Sequence, residues 1–337
     1  MPAWRTKSLH YENNKIYYKP IITPRGVPRR NKHKKGLEKK LKKTGFIAII
    51  GRPNVGKSTL LNALIGEKLA IVSKKPQTTR NKITGILTKG ETQYVFMDTP
   101  GMHTPKTKLG DRMVEQTNSA ISGVDACILI VEPIAHPGDI ELGLIEKIKA
   151  SDLPCILAVN KVDRTNPNAI GDTIKAYADI HEFDAVVPMS ALKGKGVDVL
   201  LSEVDQFMTE GEWFFPEDAI TDQPERVIVA EIIREKILRT CDEEIPHGTA
   251  VVIEEFKESP KLISIRAEIF CEKSSHKGII IGKNGALLKL IGSRAREDIE
   301  KFFGTKVFLD LWVKVKENWR NSDVLLNNFG FANKDDE

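Results

Sequence analysis

The chain has 337 residues, 41% hydrophobic and 29% charged, which suits a globular protein of two domains and excludes fibrous or wholly disordered classes. Its longest apolar runs, such as "ACILIV" at 126–131, fall far short of the ~18 residues a spanning helix needs, and no apolar signal core opens the chain. The net charge of +5 is split: residues 1–43 carry 14 Lys and Arg against Glu12 and Glu38, net +12, leaving 37 basic and 44 acidic residues, net −7, in the remainder.

Residues 1–43, with four prolines and the run "RRNKHKKGLEKKLKK", read as a disordered basic extension with a short helix at 37–43. Such a head attracts polyanions, RNA or an anionic membrane surface. Cys127, Cys155, Cys241 and Cys271 stand far apart without a C-x-x-C pair, as buried thiols of a reducing cytosol do.

From Thr44 the pattern becomes α/β. "GFIAII" is a strand ending in a glycine loop, and "STLLNALIG" has helical periodicity. "ITGILT" and "TQYVFM", joined by "KGE", predict a hairpin. "ACILIVE", "PCILAVN" and "AVVPMSA" are further strands, alternating with helices over "DIELGLIEKIKA", "PNAIGDTIKAYADI" and "VDVLLSEVDQFM". That alternation predicts a mostly parallel sheet covered on both faces, over 44–215. "PEDAITDQP" at 216–224 reads as a linker. A smaller α+β unit, 225–331, follows in the order helix, strand, strand, helix, loop, helix, strand, and 332–337 form a tail.

"GRPNVGKS" (51–58) matches G-x-x-x-x-G-K-S between a strand and a helix. Its backbone N–H groups and the helix N-terminus cradle phosphate, Lys57 reaches the outer phosphates and Ser58 ligates Mg²⁺. The loop alone leaves ATP and GTP open. "NKVD" (160–163) decides for guanine, because the Asp163 carboxylate accepts from two donors that adenine lacks. Asn160 is expected to read the base edge and tie loops together, the Lys161 stem to cover the base, and the Ala191 N–H of "SAL" (190–192) to meet guanine O6. "DTPG" (98–101) supplies Asp98, holding Mg²⁺ through water, and the Gly101 N–H, sensing the γ-phosphate. In "PQTTR" (76–80) a threonine hydroxyl closes the Mg²⁺ shell, with Thr79 preferred to Thr78.

The nucleotide set is therefore Gly51, Arg52, Pro53, Asn54, Val55, Gly56, Lys57, Ser58 and Thr59; Asp98, Thr99, Pro100, Gly101 and Met102; Asn160, Lys161, Val162 and Asp163; and Ser190, Ala191 and Leu192. Lys57, Thr79, Asp98 and Gly101 carry catalysis; Ser58, Thr79 and Asp98 hold the metal. Met102 stands where many GTPases have a water-orienting Gln, so intrinsic turnover is expected to be slow. His103 reads as loop packing rather than as a base. Asn54 has two readings: it stabilises the turn, or, as such an Asn does in several related GTPases, it helps hold K⁺ beside the phosphates, which makes K⁺ a further candidate ligand.

"IIIGKNGALLKLIG" (279–292) holds a second glycine–lysine loop, here between two helices and without the G-K-S ending. The element order suits a KH module, whose G-x-x-G loop clamps a single-stranded backbone; a helix-turn-helix hairpin for protein docking is the other reading. Between Lys273 and Arg296 there are six Lys or Arg and no acid. The RNA-facing set is Lys277, Ile281, Gly282, Lys283, Asn284, Gly285, Lys289 and Arg294. Ile280 and Leu288 either line a groove for bases or pack in the core.

Together "GFIAIIGRPNVGKSTLLNALIGEKLAIVS", "KPQTTRNKI", "FMDTPGMH", "NKVD", "EEIPHG", "IIIGKNG" and "LDLWVKVKENWR" resemble the Era family of GTPases over residues 44–330. The resemblance implies a P-loop GTPase domain followed by a type II KH domain. It further implies a cytoplasmic, monomeric GTPase acting in 30S subunit assembly, whose KH domain grips the 3′ end of the small-subunit (16S) ribosomal RNA, with peripheral membrane contact. The alternative reading is a membrane-associated signalling GTPase with a KH-like docking module. Residues 1–43 match no part of that family pattern.

Overall fold

The computed structural model describes residues 41–73, 75, 78–101, 105–242 and 244–331, with the backbone of 11–12 and 15–16. Tyr11–Glu12 (β1) and Lys15–Ile16 (β2) pair antiparallel. The rest of the basic head up to residue 40, Met102, His103 and the 332–337 tail lie outside the described residues. The short helix expected at 37–43 is corrected at its end, where Lys43 already belongs to a strand.

The first unit is built from β3 (Lys43–Ile50), α1 (Lys57–Ile65), β4 (Ile83–Lys89), β5 (Thr92–Asp98), α2 (Lys108–Ile121), β6 (Ala126–Val131) and α3 (Asp139–Ala150). It continues through β7 (Cys155–Val159), α4 (Pro167–Ala178), β8 (Ala185–Pro188), α5 (Val197–Val204) and β9 (Thr209–Glu210). The sheet order is β4-β5-β3-β6-β7-β8, with β9 on the start of β3. All neighbours are parallel except the β4–β5 hairpin and β9.

The strands are continuous apolar runs because both faces are buried. Ile47, Ile49, Ile128, Ile130 and Ile156 share a core with Leu60, Leu61 and Leu64 of α1 and Leu200 and Leu201 of α5. Their neighbours Ala48, Ile50, Cys127, Leu129 and Leu157 face the other way, onto Leu144, Ile145 and Ile148 of α3 and Tyr177 of α4. Each buried Ile or Leu among them contributes roughly 1.5–3 kcal/mol relative to exposure. Parallel strands also bring their C-terminal ends to one edge, so the residues after β3, β5, β6, β7 and β8 gather there.

The second unit comprises α6 (Glu225–Thr240), β10 (Thr249–Ser259), β11 (Leu262–Cys271), α7 (Ser274–Ile281), α8 (Ala286–Phe303), β12 (Val307–Val315) and α9 (Asp323–Asn328). β10 is antiparallel to β11, and β11 is parallel to β12. Residues of α6, α7 and α8, among them Ile233, Ile280, Ile291 and Ile299, join Ile265, Ile269 and Val313 of the sheet in one core.

The stretch 213–221 is pinned rather than free. Gln93 and Phe215 exchange two hydrogen bonds, Ile86 N–H donates to Ile220 O at 2.9 Å, and Thr221 Oγ1 donates to Thr84 O at 2.7 Å. The cause is β4, an edge strand whose open backbone groups take the chain as a partner. The units also meet directly. Lys68 Nζ reaches Glu235 Oε2 at 2.6 Å and Asp298 Oδ2 at 2.5 Å. Leu109 and Met113 of α2 share a core with Phe270, Trp319, Leu326 and Phe331. Helix α2 was not anticipated from the sequence.

Candidate functional site

The chain leaves β3 at Ile50 and turns through 51–56 into α1. Gly51 and Gly56 have φ of 151° and 112°, and an added Cβ would stand 2.4 Å from Ile130 O or 2.3 Å from Asn160 Nδ2. Only glycine fits at both. At Gly101 a Cβ would meet Pro53 at 2.9 Å, so the "DTPG" turn lies directly on this loop. Lys57 is buried, and its ammonium donates to Gly51 O and Arg52 O, each at 3.0 Å. Burial lowers its pKa to about 8, with the nearby Asp98 charge opposing.

Asp98 ends β5 and is fully buried. Its Oδ2 accepts from Ser58 Oγ at 2.7 Å and Thr79 Oγ1 at 3.3 Å, and those two hydroxyls are 2.8 Å apart. Its Oδ1 has no hydrogen-bond partner among the described residues. Burial raises the carboxyl to about 6 against the pull of Lys57, Ser58 and Thr79. Two hydroxyls and a carboxylate with an orphaned oxygen form a hard donor set that fits Mg²⁺. Thr78 Oγ1 instead donates to Lys75 O at 2.6 Å, so of the two threonines only Thr79 faces the cluster.

At the far end, Asn160 follows β7. Its Nδ2 donates to Val55 O at 2.7 Å and its Oδ1 accepts the Ala191 N–H at 2.9 Å. Its amide thus ties loops, while the Ala191 N–H expected for a base is engaged by that tie. Asp163 is exposed and accepts from Ser190 Oγ at 2.6 Å, which holds its carboxyl below the usual range. Lys161 Nζ donates to Asn54 O at 2.6 Å and pairs with Glu132.

These residues surround a cavity of about 720 Å³. Pro53, Asn54, Gly56 to Thr59, Thr79, Gly101, Asn160, Lys161, Asp163, Ser190 and Leu192 line it, with Leu238, Arg239 and Asp242 after or within α6 closing one wall. Gly51, Arg52, Val55, Asp98, Thr99, Pro100, Val162 and Ala191 do not line it. Val55 is core, Thr99 Oγ1 donates back to Ile49 O, and Arg52 pairs with Glu132 at 2.8 Å and Glu141 at 3.3 Å. Glu132 escaped the sequence reading. Burial pushes its carboxyl up, but Lys161 and Arg52 outweigh that and hold it low. Its signal was positional: it caps an apolar parallel strand, as Asp98 and Asn160 do.

The second loop caps α7. Gly282 has φ 73° and ψ 174°, and Asn284 and Gly285 are left-handed at φ 52° and 77°. A Cβ on Gly282 would meet Leu287 Cβ at 2.7 Å, whereas Gly285 faces open space. Lys283, Asn284, Lys289 and Arg294 are exposed; Lys277, Ile281, Gly282 and Gly285 are half-buried. Ile280 is wholly core and Leu288 packs on it, so the apolar side chains left exposed beside the turn are Ile279 and Leu290. None of Lys273, Lys277, Lys283, Lys289, Arg294 and Arg296 forms an ion pair among the described residues; Arg226, Lys261, Lys301, Lys306 and Lys316 of the same unit are also without one, whereas Arg234, Lys236, Arg239, Lys257, Arg266, Lys314 and Arg320 are paired. No described helix is long and apolar enough to cross a membrane.

Residues 46–161 match the family model for 50S ribosome-binding GTPases, and 244–320 match the KH domain. The GTPase Era of Ruminiclostridium cellulolyticum is 51% identical over 290 residues, 86% of this chain and 97% of that protein; the GTPase Era of Clostridium kluyveri is 51% identical over 290 residues, 86% and 99%. A crystal structure of Era with MgGDPNP and nucleotides 1506–1542 of 16S ribosomal RNA aligns at TM-score 0.83 and 40% identity, over 87% of this chain and all of that one. Aquifex aeolicus Era Y63A bound to GDP.AlF4- aligns at TM-score 0.83 and 40% identity, over 86% of this chain and all of that one. With a P-loop sheet, a KH unit and relatives at half identity along most of its length, this chain belongs to the Era family of GTPases.

Proposed function

We propose that this GTPase hydrolyses GTP slowly while its KH domain holds the 3′ end of small-subunit ribosomal RNA, in assembly of the 30S subunit in the cytoplasm. The observation that carries the reading is the pair of separate polyanion cradles. One is a cavity of about 720 Å³ beside an oxygen donor cluster, and the other is a glycine turn with Lys283 and Asn284 exposed, among six cations that form no ion pair within the described residues. The Era complex with MgGDPNP and 16S ribosomal RNA supports it, since that protein carries both ligand classes at once. Residues 44–215 and 225–331 form the two working units of this reading, joined by 216–224.

In the nucleotide site, Lys57 leaves its two loop carbonyls for the β- and γ-phosphates. Ser58 and Thr79 would hold Mg²⁺ through their hydroxyls and Asp98 through water, and the ion would neutralise charge on the phosphate oxygens. The Gly101 N–H meets the γ-phosphate. Asp163 accepts from the guanine edge, and Ser190 holds it ionised. Met102 offers the attacking water no hydrogen bond, so turnover without a partner stays below several per second. Asn54 borders the phosphate end of the cavity, where a monovalent cation adds to the charge, and faster hydrolysis in KCl than in NaCl is the expected result.

In the KH domain, Gly282 and Gly285 admit a phosphodiester backbone, with Lys283, Asn284, Lys289 and Arg294 around it. The deciding experiment is crosslinking of the full chain in cells, followed by identification of the bound RNA. Recovery of the 3′ end of small-subunit ribosomal RNA is expected. Recovery of no RNA, together with flotation on anionic vesicles, would favour the membrane-associated reading instead.

A further inference from the structure

The segment bearing Thr79 is gripped from the KH unit on both sides. Arg80 is 1% exposed. Its Nη1 donates to Thr249 O at 2.5 Å, and its Nη2 donates to His247 O at 2.8 Å and Pro246 O at 3.3 Å. The guanidinium stands 5.8 Å from the centre of the Trp319 ring. From the opposite direction Arg234 on α6, 2% exposed, donates Nη2 to the carbonyl of Thr78. Glu231 holds that guanidinium in a two-pronged pair at 2.7 and 2.6 Å.

One arginine therefore reaches from the nucleotide unit into the turn before β10, and the other reaches back to the residue before Thr79. Between them, Thr79 Oγ1 meets Ser58 and Asp98. The arrangement is costly. Arg80 Nε and Arg234 Nη1 have no partner among the described residues, and the two like charges repel across the interface. Apolar side chains fill such a seam at lower cost, whereas a fork of fixed donors on main-chain carbonyls specifies one backbone geometry.

We propose that Arg80 and Arg234 are positioning residues for GTP hydrolysis: together they set the backbone of Thr78 to Arg80 from the KH unit, so that the Thr79 hydroxyl is presented to the metal and the γ-phosphate. This rests on the reading of Thr79 as a metal ligand. It couples the seating of the KH unit to engagement of the γ-phosphate, and by linkage the γ-phosphate to that seating. GDP has no γ-phosphate to engage Thr79, so its affinity is indifferent to both arginines.

The test uses the full chain with Arg80→Ala, Arg80→Lys, Arg234→Ala and Thr79→Ala. Hydrolysis is followed against Mg²⁺ concentration, GDP affinity is measured with a fluorescent GDP analogue, and folding is checked by thermal melts. Arg80→Ala and Arg234→Ala are expected to lower kcat by about tenfold and to raise the Mg²⁺ needed for half-maximal rate, with GDP affinity within about twofold of wild type. Arg80→Lys should fall between, because an ammonium reaches fewer of the three carbonyls. Should Arg80→Ala not fold, Arg80→Lys and Arg234→Ala decide. Wild-type rates and Mg²⁺ dependence in folded arginine variants, with Thr79→Ala impaired, would overturn the proposal. So would equal losses of kcat and GDP affinity, which mark a merely structural role. A Thr79→Ala enzyme with wild-type behaviour would instead overturn the metal-ligand reading beneath it.

Discussion

The turns at 51–58 and 282–285 use the same residue types to opposite effect. In the first, strand and helix wall the loop, Gly56 stands against Asn160, and Lys57 is buried on carbonyls. In the second, helix meets helix, Gly285 opens to solvent, and Lys283 is exposed. A buried cradle with fixed donors selects a compact ligand by shape. An open turn with solvated cations takes an extended polymer, at a strength that salt controls.

The sharpest break of that comparison is Lys57→Ala. Hydrolysis should fall by at least about 10²-fold, the loss expected if the ammonium acts on the transferred phosphoryl group as proposed, while RNA binding in a filter assay stays within error. Parallel loss of RNA binding in a folded variant would mean that the two cradles are one site. Asp163→Asn comes next. The ratio of GTP to ATP affinity should drop by about 10²-fold or more if this carboxylate is what rejects adenine, as proposed; an unchanged ratio would move base selection elsewhere.

The glycines sharpen the contrast. Gly56→Ala should weaken nucleotide binding strongly, as its Cβ has only 2.3 Å to Asn160. Gly285→Ala meets nothing and should cost about 1–2 kcal/mol from its left-handed backbone alone. Gly282→Asp is a poor probe of RNA binding, because its Cβ already collides with Leu287 at the start of α8. Lys283→Ala with Lys289→Ala is cleaner: the slope of log affinity against log salt should shrink by about 0.7 for each phosphate no longer neutralised. An unaltered slope would remove these lysines from the RNA site.

The smallest expected effect lies between the two regions. Glu235 is buried, which raises its carboxyl, but Lys68 and Lys236 outweigh this and depress it below the ordinary value. A depressed carboxylate stabilises the fold above its unfolded pKa, and that contribution is lost as pH falls through the folded value. Lys68→Met should therefore lower the melting temperature at neutral pH, with the gap to wild type closing below about pH 4. A gap independent of pH would show that packing, not charge, joins the units there.

The cradles themselves were legible because each is a contiguous string in a recognisable context. "GRPNVGKS", "DTPG" and "NKVD" each follow an apolar strand, and "GKNG" divides two helical patterns. Helix α2, although unanticipated, carries Leu109, Met113, Thr117, Ala120 and Ile121 at helical spacing on its buried face; what its pattern does not show is that Arg112 is buried with them. Arg112 is tolerated inside because the Asp323 carboxylate, Asn327 Oδ1 and the carbonyl of Phe331 receive it. Likewise three consecutive charged residues of α6, Arg234, Glu235 and Lys236, are all buried. "PEDAITDQP" reads as a free linker, yet its Ile220 and Thr221 bond the open edge of β4.

The strands, the hairpin and the glycine loops came from neighbours in sequence, since backbone geometry and tight turns are local; strand order came from the tertiary structure, which sets β3 between β5 and β6. The seam between the units was not local either. Arg80 finds its acceptors at 246, 247 and 249, and Arg234 its acceptor at Thr78. A buried charge is tolerable only with its partners in place, and those partners lie more than 150 residues away, where folding alone brings them together.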